Sequence, residues 1–205
     1  MEREHEQGAS HVSGGGDGRS PPAQPVRRLI IDSAPPELGP VIDRIAAALL
    51  TADLRLVTAE SCTGGLIAAT LTAVPDSSHW FEGAFVTYRL SAKTRMVGVA
   101  PALLDRQGAV SEPVVRAMAE GALSATDAGV SLAVSGVAGP TGGSPTSPVG
   151  TVWFAWALRD PTPRCAQTAV FALEGDRDSV RAAAVEVALR GLDQLLNGAD
   201  APLAT

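Results

Sequence analysis

The 205-residue sequence has little lysine: of 16 basic residues only Lys93 is one, and the remainder are arginines. Tyrosine is as scarce, with Tyr88 alone and five positions upstream of Lys93. The two cysteines, Cys62 and Cys165, lie 103 positions apart and form no CxxC pair. That excludes a disulfide scaffold and a cysteine zinc site, and it suits a reducing, cytoplasmic compartment. Of three histidines, His5 and His11 fall in a glycine-rich N-terminal segment, which leaves His79 as the one imidazole available to a folded domain. A Ser-His-Asp triad therefore has little support, and no metal or cofactor is expected.

Long apolar runs are missing too. The stretch Leu29-Ile30-Ile31 stops at Asp32, far short of the roughly 18 residues of a membrane helix, so no membrane partner is expected. Basic charge is in deficit, 16 against 22 acidic residues for a net charge of −6, which leaves no broad surface for a nucleic-acid backbone. An anionic small molecule needs only a few converging arginines or amides.

What is present, 45% hydrophobic and 19% charged residues, describes one soluble globular domain with its own core. Residues 1–28 hold five of the 21 glycines and no aromatic residue, and their charges cancel. Residues 1–37 are expected to be a disordered linker, 38–197 the folded domain and 198–205 a short tail.

Val41, Ile42, Ile45, Ala46, Leu49 and Leu50 recur at helical spacing, and a strand is expected over 54–58. A helix through Leu66, Ile67, Ala69 and Leu71 follows, then a strand over 85–88 and a helix capped by Ser91 that carries Lys93. Ser111-Glu112-Pro113 opens another helix, and Val130–Val134 reads as a buried strand. The stretches 150–158 and 165–173 read as a hairpin, and 178–196 as a closing helix. Alternating helices and strands with a late hairpin predict an α/β fold, a single-domain three-layer α/β/α sandwich with a mixed sheet. A domain of this size is compatible with a homo-oligomer.

Two loops invite chemistry. The first, Glu60-Ser61-Cys62-Thr63-Gly64-Gly65, enters a helix, where unpaired amides can hold an oxyanion or phosphate; Ser61 or Thr63 serves equally as a plain N-cap. A serine nucleophile needs a base, and with histidine scarce the alternative is a lysine made neutral by its surroundings, which points to Lys93 with Tyr88. Taken singly, Lys93 also fits a solvated helix surface and Tyr88 a core position. Cys62 is a second candidate nucleophile. The other loop, Ser135 to Pro145, lacks the Gly-Lys-Ser/Thr of a phosphate-binding loop and the helix of a dinucleotide fingerprint; its amides can form an anion nest or merely a turn-rich connection. Arg177 is a candidate phosphate clamp or a surface ion-pair partner of Asp176 or Asp178.

Six ordered stretches then carry a resemblance: Thr58–Gly65, Phe81–Tyr88 with Ala92-Lys93, Gly108–Glu112, Ser135–Gly143, Pro148–Thr151 and Gly175–Arg177. Together they resemble the CinA C-terminal domain family, over roughly residues 38–197. Its characterised members are nicotinamide-nucleotide amidohydrolases, which cleave the carboxamide of nicotinamide mononucleotide, giving nicotinic acid mononucleotide and ammonia in pyridine-nucleotide salvage. The resemblance implies a serine nucleophile at Ser61, with Tyr88 and Lys93 as the base system. It implies a pyridine mononucleotide substrate held by Glu60, Thr63, Gly64, Gly65, Gly136, Gly139, Thr141, Gly142, Gly143 and Arg177. The chain departs from the common pattern at Arg89-Leu90 and Ser147. Without catalysis, the same loops would make a nucleotide-binding or interaction module.

Overall fold

The computed structural model describes residues 36–198. The expected N-terminal linker lies outside them except for Pro36 and Glu37, which open a 3-10 turn, Pro36–Leu38. The expected C-terminal tail lies outside them beyond Gly198.

In chain order the elements are α1 (Gly39–Thr51), β1 (Leu56–Glu60), α2 (Leu66–Thr72), β2 (Phe81–Val86), α3 (Leu90–Val97), α4 (Pro101–Gln107), α5 (Glu112–Ser124), β3 (Val130–Gly136), β4 (Thr151–Arg159), β5 (Pro163–Ala172) and α6 (Arg177–Asn197). The strands form one mixed sheet in the order β2-β1-β3-β4-β5. β1 runs parallel to β2 and β3, while β4 is antiparallel to β3 and β5.

Alternate residues of a strand face opposite sides of a sheet, and here the two sides differ in size. Leu132, Val134, Phe154 and Trp156 pack under α1, α2 and α6. Ala59, Ala133, Ala155 and Ala157 pack under α5, with α3 and α4 beside it. Small side chains let α5 lie close to the sheet, whereas the aromatic face needs relief from above. Gly191 supplies it, because a Cβ there would overlap the Trp156 ring, whose Nε1 donates to the Ala188 carbonyl at 3.0 Å. The result is the expected three-layer α/β/α arrangement.

Boundaries differ where local signals were weak. β1 starts and ends two residues later than periodicity predicts, which moves Glu60 from the loop to the strand end. β2 occupies 81–86 instead of 85–88 because its register is set by pairing with β1. α3 begins at Leu90 with Arg89 at the cap position, so Ser91 does not cap it. No local pattern announces α4, a seven-residue helix with one buried residue, Leu104. No helix among the described residues is long and apolar enough to cross a membrane.

From β1 the chain turns through α2 on one face to β2; it then returns through α5 on the other face to β3. Such a reversal leaves a crevice outside the carboxyl ends of the parallel strands.

Candidate active site

At the carboxyl end of β1, the side chain of Glu60 is fully buried and points into the start of α2. Its Oε2 accepts from the Thr63 hydroxyl at 2.7 Å, the Gly65 amide at 2.9 Å and the Ile67 amide at 3.1 Å. Oε1 accepts from the Ala68 amide at 2.8 Å and the Thr58 hydroxyl at 3.4 Å. Every partner is a donor, which is the pattern a carboxylate requires. Helix N-termini carry orphan amides and a partial positive charge, and the chain's own acid meets that demand. The Gly64 amide is also engaged, donating to the Ser61 carbonyl at 3.1 Å, and the Ser61 amide donates to Val134 at 3.0 Å. The backbone of Ser61 is thereby pinned on both sides.

The Ser61 hydroxyl faces the other way, toward α3. Lys93 is fully buried, and its ammonium donates to Ser61 Oγ at 2.8 Å and to the Thr87 carbonyl at 2.7 Å. Both partners are neutral. Burial lowers the Lys93 pKa to about 8, opposed by the neighbouring Cys62 sulfur. As the free amine, Lys93 keeps an N–H for Thr87 and presents its lone pair to the Ser61 hydroxyl. Thr87 is itself anchored, its amide donating to the Glu60 carbonyl at 2.7 Å and its hydroxyl to the same oxygen at 3.2 Å. Burial drives the Cys62 thiol the opposite way, up to about 11, with the amides of Cys62 and Thr63 opposing. At neutral pH Cys62 is a protonated thiol, and the amine-to-hydroxyl contact belongs to Ser61.

Ser61 and Lys93 open into a cleft of about 310 Å³ lined also by Cys62, Tyr88, Ser135 and the loop that follows β3. Within that loop the Val137 amide is taken by Thr151, but no acceptor among the described residues takes the amides of Gly139, Thr141 or Gly142. Gly139 has φ +82°, and a Cβ there would collide with Val149, so the loop's path requires glycine. Asp176 caps α6, its Oδ1 accepting from the Ser179 amide at 2.8 Å, a bond that holds its carboxyl below the usual range. The cap sets Arg177 at the cleft mouth, where it donates to the Gly139 carbonyl at 2.7 Å and the Tyr88 hydroxyl at 3.3 Å.

Of the residues expected at the site, Ser61, Tyr88, Lys93, Gly136, Gly139, Thr141, Gly142 and Arg177 meet around this cleft. Glu60, Thr63, Gly64 and Gly65 do not line it: the Glu60 carboxylate, the Thr63 hydroxyl and the amides of Gly64 and Gly65 are spent on one another and on the Ser61 carbonyl, so the expected cradle of Gly64 and Gly65 amides at the start of α2 is already filled. Gly143 packs against Val149 instead. Tyr88 lines the cleft, but its hydroxyl meets Arg177 and not Lys93. Sequence reasoning missed Thr87, which acts through a backbone carbonyl that no residue type announces. It also gave no role to Ser135, whose hydroxyl donates to the Ala109 carbonyl at 2.7 Å and ties down the cleft wall.

The model of the CinA C-terminal domain matches residues 39–196. The nicotinamide-nucleotide amidohydrolase PncC of Pseudomonas putida is 49% identical over 152 residues, covering 74% of this chain and 92% of that protein. A CinA-like protein of Akkermansia muciniphila is 55% identical over 140 residues, covering 68% of this chain. The chain aligns with only 33% of that relative's length. Among solved structures, a competence/damage inducible protein of Agrobacterium tumefaciens superposes with a TM-score of 0.73 at 37% identity, covering 82% of this chain and 99% of that one. The chain belongs to the CinA C-terminal domain family.

Proposed function

We propose that the chain is a nicotinamide-nucleotide amidohydrolase working through Ser61. The observation that carries this reading is the 2.8 Å contact between Ser61 Oγ and an amine that is buried without a carboxylate partner. Neutral Lys93 takes the Ser61 proton as Oγ attacks the carboxamide carbon, and the carbonyl oxygen becomes an oxyanion. Lys93 then passes the proton to the departing nitrogen, which leaves as ammonia while an ester forms on Ser61. Water, deprotonated by Lys93, hydrolyses the ester, releasing the nicotinate nucleotide and restoring the serine.

Because the α2 amides are occupied, the oxyanion falls to the amides of Cys62 and Thr63, which have no acceptor apart from the Cys62 sulfur among the described residues. The open amides of Gly139, Thr141 and Gly142, with Arg177, hold the phosphate and let an acidic protein bind an anion. The P. putida relative supports the substrate assignment, and the two free thiols fit a cytoplasmic setting. The test is ammonia release from nicotinamide mononucleotide. Release by the wild-type protein and its loss in Ser61→Ala support the reading; equal release by both proteins contradicts it. Binding of the nucleotide without any hydrolysis leaves the chain a non-catalytic binding module.

A further inference from the structure

The charges that face the reacting group are unusually one-sided. Among the described residues the cleft lining holds Lys93 and Arg177 and no carboxylate. Of the acids near α3, Glu60 is committed to α2, Glu82 of β2 to Arg55, Glu112 of α5 to Arg116 and Thr168, and Glu120 of α5 to the Cys165 amide, while Asp105 of α4 lies with Arg95 on a separate pocket that Lys93 does not line. The titratable groups left facing the amine are Cys62, a thiol, and Tyr88 and Arg177 at the cleft. Among the described residues Lys93 therefore has no counter-ion to hold its proton. Tyr88 meanwhile presents its ring at the same cleft, the hydroxyl tied back by Arg177.

Resting on the amidohydrolase reading, we propose that ring charge and the Lys93 proton exclude each other. A carboxamide on a cationic pyridinium docks against the Tyr88 ring and drives the Lys93 proton out to solvent, so the substrate itself generates the base. The physical reasons are two. An aromatic face attracts a cation. A second positive charge brought within several ångströms of an ammonium in a partly water-excluded site lowers its pKa by roughly one to two units. Burial has already placed Lys93 near the point where such a shift decides its state at neutral pH. By linkage the coupling is reciprocal: protonating Lys93 weakens binding of a cationic ring and leaves a neutral ring unaffected.

The experiment compares nicotinamide mononucleotide with its benzamide counterpart, in which carbon replaces the ring nitrogen and the ribose phosphate is kept. Phosphate protonation is common to both and cancels. The first readout is the acid limb of kcat, which reports the lysine in the bound state. It lies roughly one to two pH units lower for the cationic substrate than for the neutral one, while the limbs of kcat/KM coincide. The second readout needs no turnover. Calorimetry of the Ser61→Ala protein in buffers of different ionisation enthalpy shows release of roughly 0.4 to 0.8 proton more per cationic nucleotide than per neutral one near pH 7. Lys93→Met abolishes the difference.

Tyr88→Leu weakens the cationic nucleotide several-fold more than the neutral one, and Tyr88→Phe does not. Coincident kcat limbs, or equal proton release by the two nucleotides, overturn the coupling while leaving the amidohydrolase reading intact. Failure to bind nicotinamide mononucleotide overturns both.

Discussion

Glu60 and Lys93 are both fully buried beside Ser61, and the fold treats them in opposite ways. Glu60 sits in a cage of five donors drawn from β1, the turn and α2. Lys93 has, among the described residues, two neutral acceptors and no carboxylate. A buried charge is tolerated when its hydrogen-bonding capacity is filled, and is driven to neutrality when it is not. Glu60 is thus built to fix the backbone of the turn, whereas Lys93 is built to lose its proton. The two glycine-bearing loops divide in the same way. The amides of Gly65, Ile67 and Ala68 at the start of α2 are consumed by Glu60, whereas those of Gly139, Thr141 and Gly142 after β3 have no acceptor among the described residues.

The sharpest way to break this comparison is Lys93→Met, which removes the amine and keeps an unbranched apolar side chain. Ammonia release should fall by at least about 1,000-fold, or roughly 4 kcal/mol in barrier. Near wild-type turnover would mean that the amine is not the base.

Glu60→Gln comes next, since one amide oxygen cannot replace two carboxylate oxygens and its NH2 would face donors. Unfolding in urea should show a loss of about 2–4 kcal/mol. An unchanged midpoint would mean the cage is not holding the turn.

Lys93→Met should have the opposite effect on stability. The folded-state pKa of about 8 lies below the ordinary 10.5, so the folded chain sheds its proton before the unfolded chain does. The penalty of the buried ammonium is fully present below about pH 8 and is relieved as pH rises from 8 to 10.5. Thermal unfolding at pH 7 should therefore find the methionine variant more stable by about 1–2 kcal/mol after loss of two hydrogen bonds, with the gap closing by about pH 10. A gap that widens with pH would reverse the assignment.

Smaller effects sharpen the contrast between the loops. Arg177→Ala should weaken binding of nicotinic acid mononucleotide by about 10-fold in equilibrium titration, leaving the unfolding midpoint nearly unchanged. Tyr88→Phe should change kcat by less than about 3-fold, because its hydroxyl meets Arg177 and not Lys93. A large loss would restore tyrosine to the proton path.

Ser61, Tyr88 and Lys93 were legible in the sequence because scarcity exposed them: one lysine, one tyrosine and few histidines left a serine little else to pair with. The alternation of helices and strands with a late hairpin likewise carried the layered sheet. Glu60 was misread because its type suits either a ligand or a cap. Only the convergence of Thr58, Thr63, Gly65, Ile67 and Ala68 on one carboxylate shows which it is. Thr87 was invisible, since its contribution is a carbonyl placed by strand pairing. The edge strand β2 and the short α4 were obscured for a related reason: both depend on long-range packing more than on local pattern.

A single lysine also makes the base directly observable. Protein labelled with 13C-lysine gives one side-chain Cε signal in an NMR spectrum, and its chemical shift can be followed with pH. A midpoint near 8 is the predicted result, with the signal restored to ordinary lysine behaviour when the chain is unfolded. A midpoint at or above 10 in the folded protein would contradict it, because Lys93 would then remain an ammonium at neutral pH and could not accept the Ser61 proton.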